Sequence, residues 1–83
     1  MAVVRIYVLR GCSFCVRAKA LLDSKGAAYD EIDVTADPAE RRRLCDRTGH
    51  RTFPQIFIDS RFIGGCDELV GLDRRGKLDA LLS

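Results

Sequence analysis

A mixed four-stranded β-sheet with helices on both faces, an α/β fold, is what these 83 residues predict. Three observations carry that expectation. A strand-like run, a helical run and a second strand-like run follow one another early in the chain, the order of a right-handed strand–helix–strand unit. Two short apolar runs around a tight turn come later and read as an antiparallel hairpin. Helical spacing returns in the tail. The length allows a single domain, residues 1–83, with one modest core.

The first run, Val3–Leu9 (VVRIYVL), is β-branched and apolar at nearly every position. That pattern predicts a strand covered on both faces. After Gly11 and Cys12, the stretch Ser13–Gly26 places Phe14, Ala18, Leu21 and Leu22 at helical spacing, with Gly26 as a left-handed stop. Ala27–Val34 (AAYDEIDV) is half polar, which predicts a strand at or near an edge. Asp37, Pro38 and Glu40 form a helix start: Asp37 as N-cap, Pro38 in the first turn, Glu40 closing a capping box. That helix carries Leu44 and ends near Gly49. Gln55–Gly64 (QIFIDSRFIG) is the hairpin, turning at Asp59–Arg61. The tail presents Leu69, Val70, Leu72, Leu78, Leu81 and Leu82, either one helix broken near Gly76 or two short ones.

Charge excludes some functions. Fourteen basic against twelve acidic residues leave a net charge of +2, too little for a surface that tracks phosphates. The run Arg41–Arg43 is flanked by Glu40 and Asp46 and reads as a solvated helix face. Arg5 and Arg10 interrupt the N-terminal apolar run, so it predicts neither a signal peptide nor a membrane span. The expected setting is a reducing cytoplasm, where four cysteines serve as thiols or ligands more often than as permanent bridges.

Cys12 and Cys15, in Gly11-Cys-Ser-Phe-Cys, concentrate the chemistry. A C-x-x-C pair can staple a fold, bind metal or exchange disulfides. A structural zinc site pairs two close-set couples, whereas Cys45 and Cys66 stand 21 residues apart with only His50 between them. The position at the end of a first strand and the mouth of a helix favours redox work. A helix start offers unpaired N–H groups and a positive dipole end, both of which favour negative sulfur. The amides of Phe14 and Cys15 are expected to face the Cys12 sulfur, with Arg10, Arg17 and Lys19 nearby. The spacing therefore predicts Cys12 as attacking thiolate and Cys15 as resolving thiol.

With that pair placed, two further motifs, Thr52-Phe53-Pro54 and Gly64-Gly65-Cys66-Asp67, complete a pattern spread over the whole chain. The sequence resembles the glutaredoxins, the short bacterial dithiol kind. The resemblance implies a thioredoxin-like fold and glutathione-dependent reduction of protein disulfides and glutathione mixed disulfides, with glutathione as co-substrate and no resident metal. Thr52-Phe53-Pro54 resembles the family's Thr-Val-Pro turn, whose proline is cis and whose backbone pairs with glutathione like an added strand. On local sequence alone Pro54 reads as an edge-strand start, and Gly64-Gly65 as a plain turn. Asp67, at the expected N-cap of the last helix, is implied to take the glutathione ammonium, to cap, or both. The glutathione contacts so implied are Arg10, Phe14, Arg51, Thr52, Phe53, Pro54, Gly65, Cys66 and Asp67.

The chain departs from the common family pattern at four places. Ser13 and Phe14 stand where Pro-Tyr is usual, Phe53 stands for valine, and Leu9 stands where many relatives have lysine, leaving Arg10 to supply the charge. Cys45 reads as a passive thiol and His50 as a surface residue. By resemblance the expected partners are disulfide-bearing or glutathionylated proteins, ribonucleotide reductase among them, with glutathione reductase upstream. Nucleic acid and membrane are not expected partners, and the chain is expected to be a monomer. Two rival functions are an iron–sulfur carrier, in which Cys12 and glutathione bridge a [2Fe–2S] cluster between two copies, and a hydrogen donor served by thioredoxin reductase. Cys15 speaks against the first and the cleft residues against the second.

Overall fold

The computed structural model describes residues 2–83. Eight elements follow in order: β1 (Val4–Val8), α1 (Ser13–Ser24), β2 (Asp30–Asp33), α2 (Pro38–Thr48), β3 (Gln55–Ile58), β4 (Arg61–Gly64), α3 (Cys66–Arg74) and α4 (Leu78–Leu82). The sheet order is β2-β1-β3-β4. β1 pairs in parallel with β2, Arg5 opposite Asp30, and antiparallel with β3, Val4 opposite Ile58 and Tyr7 opposite Gln55. β3 and β4 complete the mixed sheet as an antiparallel pair.

Side chains alternate across β1, so its two faces meet different layers. Val4, Ile6 and Val8 are buried against Cys15, Ala18 and Leu22 of α1, Leu69 of α3 and Leu78 of α4. On the other face Val34, Leu44 of α2 and Phe57 form a smaller cluster, with Tyr7 and Phe62 packed on it. Helices therefore cover both faces of the sheet, but unequally. β1 is not sealed on both sides: Arg5 is exposed and Tyr7 only half-buried, because the single helix α2 cannot roof the whole second face. β2 is the polar edge strand, shorter than Ala27–Val34 by four residues, with only Ile32 of its own residues partly buried.

Several local expectations change. Phe14 is 50% exposed; Cys15, one residue on, takes its place on the buried stripe with Ala18 and Leu22. Asp37 caps α2 by accepting from the Glu40 amide at 3.1 Å, but the reciprocal half of the capping box is missing. Glu40 pairs with Arg43 instead, and the Asp37 amide donates to Val34 O at 3.1 Å. Arg41 is no solvated member of the arginine run, since its guanidinium donates to Val34 O at 2.7 Å and to Thr35 O. The hairpin turns at two residues, Asp59 (φ 50°) and Ser60 (φ 68°), with Arg61 already paired to Ile58. Positive φ at both positions matches the right-handed twist of the flanking strands. The tail is two helices separated at Arg75–Lys77. Among the described residues, no helix is long and apolar enough to cross a membrane.

Candidate active site

Cys12 is the N-cap of α1, with extended backbone (φ −86°, ψ 108°), and its sulfur accepts the Cys15 amide at 3.1 Å. The cap is thus made by sulfur where an oxygen is usual. No acidic residue occupies the first turn of α1, so the positive end of the helix acts on that sulfur unopposed. The Phe14 amide, expected to share the role, makes no hydrogen bond to the sulfur. The loop that delivers Cys12 is held at both ends: the Cys12 amide donates to Leu9 O at 3.3 Å, and the Arg10 amide donates to Thr35 Oγ1 at 2.7 Å.

The second cysteine lives in a different medium. Cys15 is 2% exposed, and burial, followed by its hydrogen bond to Cys12, pushes its thiol from the usual 9.0 up to about 12. Burial removes the water that would solvate a thiolate, so the proton stays. All four cysteines are free thiols. Cys66 is buried at the start of α3, and that burial likewise raises its thiol. Cys45 is half-buried in α2, its sulfur 4.0 Å from the Gln55 amide nitrogen.

The wall opposite Cys12 comes from the segment before β3. The Phe53–Pro54 peptide is cis, and the Phe53 carbonyl accepts from the Cys12 thiol at 3.6 Å. A cleft of about 190 Å³ opens beside it. Of the residues singled out in the sequence, Phe14, Thr52, Phe53, Pro54, Gly65, Cys66 and Asp67 line this cleft; Arg10 and Arg51 are exposed and do not. A larger recess of about 360 Å³ lies elsewhere, over Tyr7 and Phe57 between Arg5 and Arg47. It contains no thiol, so chemistry assigns the reaction to the smaller cleft.

Two lining residues escaped the sequence reading. His50 is half-buried rather than a free surface residue, and its Nε2 lies 3.0 Å from the Thr52 hydroxyl. Glu68 displaces Asp67 as the capping carboxylate. α3 begins at Cys66 with Gly65 as N-cap, and Glu68 Oε1 accepts the Gly65 amide at 2.6 Å. Asp67 stands in the first turn with its side chain exposed. The Gly-x-x-Glu spacing from Gly65 to Glu68 was the available signal. The double glycine has a steric reason. A Cβ on Gly64, at φ +124°, would sit 2.6 Å from Glu68 Cγ, and one on Gly65 would sit 3.2 Å from Pro54 O.

The basic residues near the sulfurs have other employment. Lys19 pairs with Glu31 at 2.9 Å, and the Arg17 guanidinium lies 5.7 Å from the centre of the exposed Phe14 ring. What remains at the mouth of the cleft is one accessible sulfur under a helix N-terminus, with a protonated thiol sealed one turn below.

That arrangement, at the end of the first strand of a mixed sheet, defines a class: thiol–disulfide oxidoreductases of thioredoxin-like fold. Comparison with known proteins narrows it. The glutaredoxin family profile matches residues 4–63. Glutaredoxin 3 of Escherichia coli K12 is 51% identical over 82 residues, covering 99% of both chains. The solution structure of glutaredoxin from Brucella melitensis is 54% identical with a TM-score of 0.90, covering 99% of this chain and 89% of that one. The crystal structure of a buckwheat glutaredoxin–glutathione complex superposes with a TM-score of 0.93 at 34% identity, covering 98% of this chain and 76% of its own. The chain belongs to the glutaredoxin family.

Proposed function

We propose that the chain is a glutathione-dependent oxidoreductase acting on glutathionylated and disulfide-bonded proteins. The observation that carries the reading is the Cys12 sulfur, 3.1 Å from the Cys15 amide and 3.6 Å from the Phe53 carbonyl at the mouth of the cleft. The buckwheat relative supports the choice of thiol, since its structure is a glutathione complex.

With a glutathionylated protein, the Cys12 thiolate attacks the glutathione sulfur. A Cys12–glutathione disulfide forms, and the protein sulfur leaves as thiolate and takes a proton. A second glutathione thiolate then attacks that disulfide, releasing oxidised glutathione and restoring Cys12. With a protein disulfide, the first attack leaves a Cys12–protein mixed disulfide, which Cys15 displaces to give the Cys12–Cys15 disulfide. Two glutathiones reduce it. The Cys12 sulfur is one of the causes that hold the Cys15 proton. Once Cys12 is in a mixed disulfide that contribution is gone, and Cys15 becomes easier to ionise when it must act.

In this reading Phe53 offers its backbone to the cysteinyl part of glutathione. Phe14, Thr52 and Pro54 wall the cleft, Gly65 and Cys66 present main chain, and Asp67 takes the ammonium. Arg10 and Arg51 lie outside the cleft lining, and their part in binding the glutathione carboxylates rests on the resemblance alone. The reducing cytoplasm is the setting we infer. Glutathione reductase would recycle the oxidised product, and ribonucleotide reductase is one protein disulfide of suitable chemistry.

The test is a glutathione-reductase-coupled assay on the mixed disulfide of glutathione and cysteine. Cys12→Ser is expected to lower kcat/KM by at least about a thousandfold, since the nucleophile is gone. Cys15→Ser should keep turnover of that mixed disulfide within about fivefold while losing reduction of a protein disulfide. Unchanged turnover in Cys12→Ser defeats the proposal.

A further inference from the structure

The segment that carries Phe53 to the sulfur is held in an unusual way. Apart from the strand pairing that begins at Gln55, no backbone-to-backbone hydrogen bond of the turns and loops engages residues 50–54. Side chains do that work. Gln55, the first residue of β3, is wholly buried among apolar neighbours, a position where an amide is costly unless it is bonded. It folds back on the segment before it. Its Nε2 donates to His50 O at 2.6 Å and to Thr52 O at 3.4 Å. Its Oε1 faces the Thr48 hydroxyl at 3.1 Å. Thr48 Oγ1, at the end of α2, also accepts the His50 amide at 3.1 Å and lies 2.8 Å from Leu44 O. The carbonyls on one side and the hydroxyl on the other fix which end of the carboxamide is which.

We propose that Gln55 is a positioning residue for the cleft, its carboxamide clamping the His50–Thr52 segment and thereby holding the Phe53 backbone beside Cys12. The proposal rests on the glutathione reading above for its kinetic consequence, and on the bonds just described for its structural one. The clamp ties three backbone groups, His50 N, His50 O and Thr52 O, to the side chains of two residues rooted in a helix and a central strand. A purely apolar residue would fill the same space, leave Thr52 O without this donor and leave His50 O with only the Thr48 hydroxyl at 3.5 Å. Gln55 makes no hydrogen bond to Cys12 or Cys15, its one sulfur partner being Cys45 at 4.0 Å, so its loss should loosen binding while leaving thiol exchange intact.

Three variants test this: Gln55→Met, which keeps the length and loses the bonds to His50 O, Thr52 O and the Thr48 hydroxyl; Gln55→Glu, which keeps the acceptor toward Thr48 and loses the donors; and Thr48→Val, which removes the other half of the clamp. In Gln55→Met the KM for the mixed disulfide of glutathione and cysteine should rise about tenfold with kcat within about twofold. Amide order parameters at Arg51–Phe53 should fall from about 0.85 toward about 0.6, with those of β1 and α1 unchanged. Gln55→Glu should follow Gln55→Met, because the donated bonds carry the effect. Should Gln55→Met fail to fold, Thr48→Val is expected to reproduce the loss of order at residues 51–53 and the rise in KM. A folded Gln55→Met with unchanged KM and unchanged order at these residues overturns the proposal, as does loosening spread evenly over the chain. If the wild type turns over no glutathione disulfide, the function fails, and the order parameters still decide the role of Gln55.

Discussion

Cys12 and Cys15 are three residues apart, and their surroundings separate them completely. One sulfur caps a helix at the surface; the other lies inside the core with its proton held by burial. The pairing was legible from the spacing, because a helix start imposes it. The side chains around the pair were less so. Phe14 looked like a core residue by periodicity, yet its position in the first turn aims it outward beside Arg17. Asp67 and Glu68 are both acidic and adjacent, and only the approach of the chain at Gly64-Gly65 decides which of them caps. That approach makes a sharp prediction. Gly64→Ala must hold a φ near +124° and push its Cβ into Glu68, so it should cost about 1–3 kcal/mol by urea unfolding. Adding Glu68→Ala removes the Cγ and Oε1 contacts but keeps Glu68 Cβ, 2.8 Å from the new methyl, leaves the backbone strain and loses the cap on the Gly65 amide, so it should recover only part of the loss. Full recovery in the double variant would show that the backbone conformation costs nothing.

The elements owe their positions to which stripe each can bury. α1 shows this best, because its inward residues, Cys15, Ala18 and Leu22, meet β1 directly and so fix where the Cys12 cap points. Leu22 is fully buried, and Leu22→Ala should lower unfolding free energy by about 2–5 kcal/mol. A loss below about 1 kcal/mol in urea titration would mean that the helix packs more loosely than drawn. Strand and helix order could be read from the chain because turn residues and apolar periods mark it. The partial roof over the second face could not: a run such as Val3–Leu9 looks sealed until the reach of α2 is known. The same holds for Gln55, whose place in QIFI suggested a strand and gave no hint of a side chain turned back onto its own approach.

Over the whole molecule the titrating groups act in one direction at alkaline pH. Cys15 keeps its proton to about 12 in the fold but to 9.0 ordinarily. Burial raises Tyr29, while pairing with Glu31 raises Lys19 and pairing with Asp73 and Asp79 raises Lys25. In each case the folded chain binds more protons than the unfolded one, so stability falls as pH climbs from about 9 toward about 12. The urea midpoint should decline steadily over that window, and Cys15→Ala should make the decline between 9 and 10 shallower without abolishing it, because the buried Cys66 thiol is raised in the same sense. A midpoint that held constant to pH 11 would contradict this. At the acid end Asp33, lowered by the Thr35 hydroxyl and amide, works in the opposite sense and loses its contribution as pH falls. The sheet order also bears on how the chain is made. β1 is central, but its second neighbour, β3, begins only at Gln55. Until β3 is in place, β1 is bare along one side, a template for pairing with any other exposed strand. Folding therefore has an adhesive stage, which closes when the hairpin docks along that side of β1.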